Sequence, residues 1–260
     1  MEKKRHNRIV IIGSGNVATH VTTALTALGD HIVEVYSHTL AHAETLAKKI
    51  GAKATCQLST IDPTADFYIY AVSDSALNDV VAQMPECQGI HMHTSGTMPL
   101  NIFDSHQQQY GVFYPLLSFS KTATIDWSNV PFFIEGNSDV TKDRIGELAK
   151  RLSPIVFNAD SETRRTLHLC GVLTNNFSNA LYNIADELLK EKNIPFQVLL
   201  PLLQQSISKL SQLSPYEAQT GPALRGDTAV TNAHIAMLQQ HPRWQEIYKL
   251  LTEEIQESHG

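Results

Sequence analysis

The chain has 260 residues, 42% of them hydrophobic, and carries 20 Lys and Arg against 26 Asp and Glu, a formal net charge of −6. That length allows one large domain or two smaller ones with ample core. Acidic and basic residues are interspersed, which leaves no basic face for nucleic acid or an anionic membrane, and no apolar run reaches transmembrane length.

Cys56, Cys87 and Cys170 are odd in number and lack C-x-x-C spacing, so they point to neither a disulfide framework nor a thiolate zinc site. A reducing cytoplasm fits them best. Lys3-Lys4-Arg5 resembles the basic start of a targeting segment for three residues only, because strand and glycine turn follow.

Ile9-Val10-Ile11-Ile12 is a strand-length apolar run that breaks into Gly13-Ser14-Gly15-Asn16-Val17-Ala18 and then a helix to about Gly29. In such a turn Gly13 permits the sharp bend and Gly15 lets the backbone approach a pyrophosphate held by free N–H groups. Ala18 allows close packing of helix on strand. The next strand, Ile32–Tyr36, ends in Ser37-His38-Thr39, where an NAD site places an acid for the ribose 2′-hydroxyl. No acid stands there, and Ser37, Thr39 and a protonatable His38 can donate to a 2′-phosphate, so NADP(H) is favoured over NAD(H).

Alternation of strands and helices continues to about Phe157 and predicts a Rossmann-like, parallel, doubly wound sheet. Its remaining strands are expected at Phe67–Val72, Ile90–His93, Gly111–Tyr114 and Phe132–Glu135, with helices at Ala41–Ile50, Ser75–Gln83 and Val140–Leu152. Ligands bind beyond the carboxyl ends of such strands. The third run closes with Ala71, Val72 and Ser73, placed to line a cofactor, and Asp74, placed to cap the following helix. His93-Thr94-Ser95-Gly96 follows the next strand, with His93 a candidate acid or anion binder or else a structural histidine. His91 and His93 share a face of that strand, but no third ligand accompanies them and no metal site is predicted.

After Asp160 the pattern is helix alone, giving an α/β domain over residues 1–158 and an all-α domain over 159–260. Leu169, Val172, Leu173, Phe177, Leu181, Ile184 and Leu188 sustain a period near 3.6 for about thirty residues, a helix of roughly 45 Å. His168, Asn175 and Asn179 fall at i, i+7 and i+11, one polar stripe on that helix. The stripe faces either water or a site. In a site, His168 can give a proton near neutrality to a reduced carbonyl or imine, and Asn175 can orient it. Later helices are expected at Val198–Leu213, Thr228–Gln240 and Trp244–Glu257, with a capping box at Ser214-Pro215-Tyr216-Glu217. The loop Thr220–Thr228 carries Arg225, either a bidentate anchor for a substrate carboxylate or phosphate or a structural tie.

Gly13–Ala18, His93-Thr94-Ser95-Gly96, Gly111-Val112-Phe113-Tyr114-Pro115-Leu116, Gly171–Asn176, Gly221-Pro222 and Arg225-Gly226-Asp227 together resemble a family of NADP-dependent oxidoreductases. Its members have a Rossmann-like domain followed by a helical domain of unassigned function. In plan the chain is similar to pyrroline-5-carboxylate reductase, deazaflavin-dependent NADP reductase and 6-phosphogluconate dehydrogenase. The resemblance implies a cofactor across the first domain, a small-molecule substrate in a cleft between domains and a homodimer joined through the C-terminal helices. Related β-hydroxyacid dehydrogenases space a glycine, a catalytic lysine and an asparagine one helical turn apart. Here Gly171, Asn175 and Asn179 fit that register, with asparagine in place of lysine.

The expectation is therefore an NADP(H)-dependent reductase or dehydrogenase for a small anionic carbonyl, hydroxyl or imine compound. His168 and Asn175 are its catalytic candidates, and His93, Thr94, Ser95, Gly96, Tyr114, Pro115, Asn179 and Arg225 its substrate-binding candidates. The rival is a cofactor-binding sensor or assembly protein without turnover, which the missing lysine favours.

Overall fold

A computed structural model describes residues 6–260; Lys3-Lys4-Arg5 lies outside the described residues. Eight strands form one sheet in the order β3-β2-β1-β4-β5-β6-β7-β8. They are β1 Arg8–Ile12, β2 His31–Tyr36, β3 Lys53–Thr55, β4 Phe67–Tyr70, β5 Ile90–His93, β6 Tyr110–Pro115, β7 Phe132–Gly136 and β8 Val156–Asn158. The strands are short apolar runs because both faces are covered. Ile9, Ile11, Ile69, Met92, Phe113 and Ile134 pack on one face under α1 (Asn16–Ala27), α2 (Leu40–Ile50) and α4 (Asp139–Leu152). Val10, Ile12, Tyr68, Tyr70 and Phe103 pack on the other under α3 (Asp74–Gln83).

One pairing departs from the expected parallel sheet: β7 runs antiparallel to β6, and β8 follows β7. A parallel neighbour needs a crossover, usually a helix. The link from Leu116 to Pro131 contains a single 3-10 turn, Trp127–Asn129, and lies on α1 instead. Asn16 Nδ2 donates to the Phe119 carbonyl (2.8 Å), and the His20 ring pairs with the Ser120 carbonyl (2.7 Å).

By packing, the chain divides into two compact units, with the division falling between Asn175 and Asn176. Helix α5, Ser161–Gly171, stays with the sheet, so this division lies past the change of secondary structure near residue 158. Asp160 caps α5 by accepting from the Thr163 N–H (2.8 Å). The expected long helix is interrupted by a π-helical segment, Val172–Phe177, before α6, Ser178–Lys190. The second unit continues with α7 Leu200–Lys209, α8 Pro215–Ala218, α9 Thr228–Met237 and α10 Pro242–His259. The Ser214–Glu217 capping box opens α8, and Asp227 caps α9. Among the described residues, no helix is long and apolar enough to cross a membrane.

His91 and His93 do share a face, and both are fully buried. His91 stacks on Tyr68, 4.4 Å between ring centres, and its Nδ1 pairs with the Tyr70 hydroxyl (2.8 Å). His93 stacks on Phe103, and its Nδ1 accepts from the Ser95 N–H (3.2 Å). Burial pushes both rings down to about 3, with the Arg164 charge adding to the effect on His93. Below an unfolded value of about 6.5 the unfolded chain protonates these rings while the folded chain keeps them neutral. Stability therefore falls as pH drops from about 6.5 toward 3, by ~1.4 kcal/mol per pH unit for each ring. Urea unfolding between about pH 7 and pH 5 measures it, and His91→Phe should lower the slope by about one proton.

Candidate active site

The glycine turn is fixed by its contact with β4. Gly13 has φ 122°, and a Cβ there would lie 2.2 Å from the Ala71 carbonyl oxygen. Its N–H donates to the Tyr36 carbonyl (2.8 Å), so the ends of β1, β2 and β4 close on one another. Gly15 differs: nothing lies within 4 Å of where its Cβ would stand. Ala18 is buried on the α1 side of the core, and Val17 packs beside it.

Helices α1, α2 and α3 follow β1, β2 and β4 and so begin at the carboxyl edge of the parallel strands. Their N-cap residues, Gly15, Thr39 and Ser73, make no side-chain capping bond. Helices α4 and α5 are capped by Ser138 and Asp160. The N–H groups at a helix start need acceptors and favour anions, so the open ends mark where phosphate can bind. Ser14 Oγ donates to Ser37 Oγ (2.9 Å), which ties the glycine turn to the end of β2. His38 and Thr39 are exposed there. The acid of that strand, Glu34, is buried, paired with Lys53 (2.8 Å) and accepting from the Asp62 N–H (3.0 Å). The residues present suit a dinucleotide with a 2′-phosphate, through the uncapped start of α1 at the glycine turn and the exposed His38 and Thr39, although Ser37 itself is buried. Ala71 bonds back to Ile12 (2.7 Å), Val72 is half-buried beside it and Ser73 is exposed at the start of α3. Asp74 belongs to the helix rather than capping it, and its carboxylate accepts from the Thr97 hydroxyl.

A second cluster sits on the neighbouring strand ends. Thr94 is held to Tyr70 through both its N–H (3.0 Å) and its hydroxyl (3.2 Å). Ser95 Oγ accepts from the N–H groups of Thr97 (3.1 Å) and Met98 (3.0 Å). His93, with no exposed surface, is the support under this turn and does not reach solvent as an acid or anion binder. Tyr114, at the end of β6, meets His168 of α5: hydroxyl and Nδ1 are 3.3 Å apart. Gly96 lies under the same ring, and a Cβ there would fall 2.7 Å from His168 Nδ1. Pro115 completes β6 and is buried. The structure thus brings Thr94–Gly96, Tyr114 and His168 together.

The polar stripe does not survive as drawn. Its i, i+7, i+11 spacing assumed 3.6 residues per turn, whereas the π segment between His168 and Asn179 holds an extra residue per turn. Asn175 lies in that segment and is exposed, as are Asn179 on α6 and Arg225 in the loop before α9.

Arg164 was not singled out by sequence, yet it has no exposed surface. Its Nη1 donates to Glu135 Oε2 (2.7 Å) and its Nη2 to the Met98 carbonyl and to Ser161 Oγ (3.3 Å). Ser161 Oγ also accepts from the Leu100 N–H (3.0 Å). These bonds tie α5 to β7 and to the segment after β5. Arg165, its neighbour in sequence, is exposed, and nothing local distinguishes the two. Gly96→Ala should fold, at a cost of about 1–3 kcal/mol for overpacking, while displacing the His168 ring. A crystal structure of the variant should show the Tyr114–His168 contact broken.

Comparison with known proteins bears on both regions. Residues 8–90 match the family described as NADP oxidoreductase coenzyme F420-dependent, and residues 130–255 match a domain of unknown function, DUF2520. No curated protein matches the chain. Among solved structures, a Bacteroides fragilis protein assigned as an NADP oxidoreductase is 42% identical, with a TM-score of 0.89 over 97% of this chain and 98% of that one. Two more distant structures share the fold. A reductive aminase from Aspergillus terreus, in complex with NADPH and ethyl levulinate, is 16% identical with a TM-score of 0.71 over 98% and 94% of the two chains. A 1-pyrroline-5-carboxylate reductase from Streptococcus pyogenes is 14% identical with a TM-score of 0.66 over 97% and 99%. At 42% identity over nearly its whole length, the chain belongs to the NADP oxidoreductase family of the Bacteroides fragilis protein.

Proposed function

We propose that the chain interconverts a small carbonyl or imine compound and its reduced form with NADP(H), at a site formed by Thr94–Gly96, Tyr114 and His168. The observation that carries this reading is the Tyr114–His168 pair, where the end of β6 meets α5, with β5 and its Thr94–Gly96 turn between it and the end of β4. Bound NADPH would supply the hydride that adds to the carbon of a C=O or C=N group. The oxygen or nitrogen then holds the displaced electron pair and requires a proton. With the Tyr114 hydroxyl donating to Nδ1, His168 carries its hydrogen on Nε2 and delivers it from there. Gly96 is needed bare, because a side chain would displace the ring. The likeness in fold to a reductive aminase and a 1-pyrroline-5-carboxylate reductase supports including C=N substrates.

The reading includes a second copy of the chain. In the second unit Ala223 and Leu238 are the hydrophobic residues that are buried, while Ile207 is 67% and Met237 75% exposed. Apolar surface on this scale marks an interface, and a second copy presenting the same helices would cover it.

Two measurements test these proposals. Oxidation of NADPH by a panel of ketones, keto acids and cyclic imines should identify turnover, with NADPH preferred to NADH. His168→Ala should lower kcat by about 10²–10⁴-fold while leaving NADPH affinity intact; equal rates in the two proteins would remove His168 from the mechanism. Sedimentation at micromolar concentration should give twice the chain mass, and a monomer would overturn the dimer.

A further inference from the structure

A guanidinium removed from water is costly, and an apolar side chain of similar size often braces a core equally well. The charge of Arg164, fully buried on α5, therefore needs a reason beyond packing. Strand register supplies one. Across β6 and β7, Tyr114 pairs with Phe133 and Val112 with Glu135, so Glu135 is the diagonal neighbour of Tyr114 on the same face. Arg164 is hydrogen-bonded to Glu135 (2.7 Å), and one helical turn further on His168 meets the Tyr114 hydroxyl. The groups that face Tyr114 are His168 and Arg164 from α5, Glu135 from β7, the neutral buried His93 from β5 and Asp74 from the start of α3. Burial raises the Tyr114 hydroxyl above the ordinary tyrosine value, Arg164 opposes that rise and Asp74 adds to it.

We propose that Arg164 is a positioning residue of the proton-donating pair: it seats His168 against Gly96 and Tyr114, and it stabilises the negative charge that forms on the Tyr114 oxygen. The inference rests on the reading of the site given above. When the Nε2–H bond of His168 breaks and its proton goes to the substrate oxygen or nitrogen, the Tyr114 O–H bond breaks and that proton passes to Nδ1. The ring stays neutral. The charge comes to rest on the Tyr114 oxygen, within the field of the buried guanidinium, until water returns a proton. No electrons change hands in this transfer beyond the hydride step.

The test uses the full chain and does not depend on turnover. Tyrosinate absorbance is followed through an alkaline titration, and the Tyr114 contribution is isolated by difference from the corresponding Tyr114→Phe protein. Arg164→Gln should raise the Tyr114 titration by about one pH unit. Glu135→Gln breaks the same ion pair but leaves the positive charge, and should lower it. A mere brace predicts that the two variants behave alike, so shifts in the same direction, or none, would overturn the proposal. If Arg164→Gln does not fold, Glu135→Gln decides alone: a titration that stays or rises is against it. The alkaline limb of the pH–rate profile should move with the absorbance titration. A limb that stays fixed while the absorbance moves would overturn the relay from Tyr114 assigned to the site, and leave the electrostatic coupling standing.

Discussion

Taking the Arg164 guanidinium out of water costs several kcal/mol unless its hydrogens find acceptors, and the acceptors it finds lie on three different parts of the chain. Glu135 comes from β7, the Met98 carbonyl from the segment after β5 and Ser161 from the first turn of α5 itself. Pairing the two Nη groups of one buried charge, whose Nε has no acceptor, thus sets the position of α5 on the sheet and the path of the turn that contains Gly96. The placement of His168 follows from both, since it lies one turn beyond Arg164 and against Gly96. Without Glu135 the buried Arg164 charge would keep only the Met98 carbonyl and Ser161 Oγ as acceptors, whereas Glu135 without Arg164 would remain partly exposed and bonded to Ser161.

The cofactor side obeys a different constraint. Parallel strands followed by helices bring several helix N-termini to one edge of the sheet, and each needs acceptors for its first N–H groups. Here three of them lack side-chain caps, while Ser138 and Asp160 cap α4 and α5. The two glycines of the turn serve different ends. Gly13 is required by the Ala71 carbonyl pressed against it, whereas Gly15 faces open space. The first secures the meeting of β1 and β4, and the second leaves room for a ligand.

Much of this was legible from residue order alone. Apolar runs of strand length, the G-x-G-x-x-A turn, the missing acid at Ser37 and the capping box at Ser214 are local signals, and local geometry decides them. Three features were not. The reversal of β7 depended on the Leu116–Pro131 link docking on α1, which no pattern within the link announces. The stripe of His168, Asn175 and Asn179 failed because a π segment changes the helical period, and Val172–Phe177 carries no residue that signals one. His93 was readable as an acid, an anion binder or a structural histidine, and stacking on Phe103 with full burial decides for the last.

Sequence by itself determined the strand–helix alternation, the dinucleotide turn and its leaning toward NADP, because each depends on contacts between residues close along the chain. Tertiary structure alone decided which of two adjacent arginines is buried, which polar residues meet and that Tyr114 is the partner of His168. Those outcomes depend on groups far apart in the chain, such as Glu135 and Arg164 or Gly96 and His168, whose encounter is set by sheet register and packing. The glycine turn is thus a feature of residue order, while the contacts of Tyr114, His168 and Arg164 are ones that only the folded chain creates.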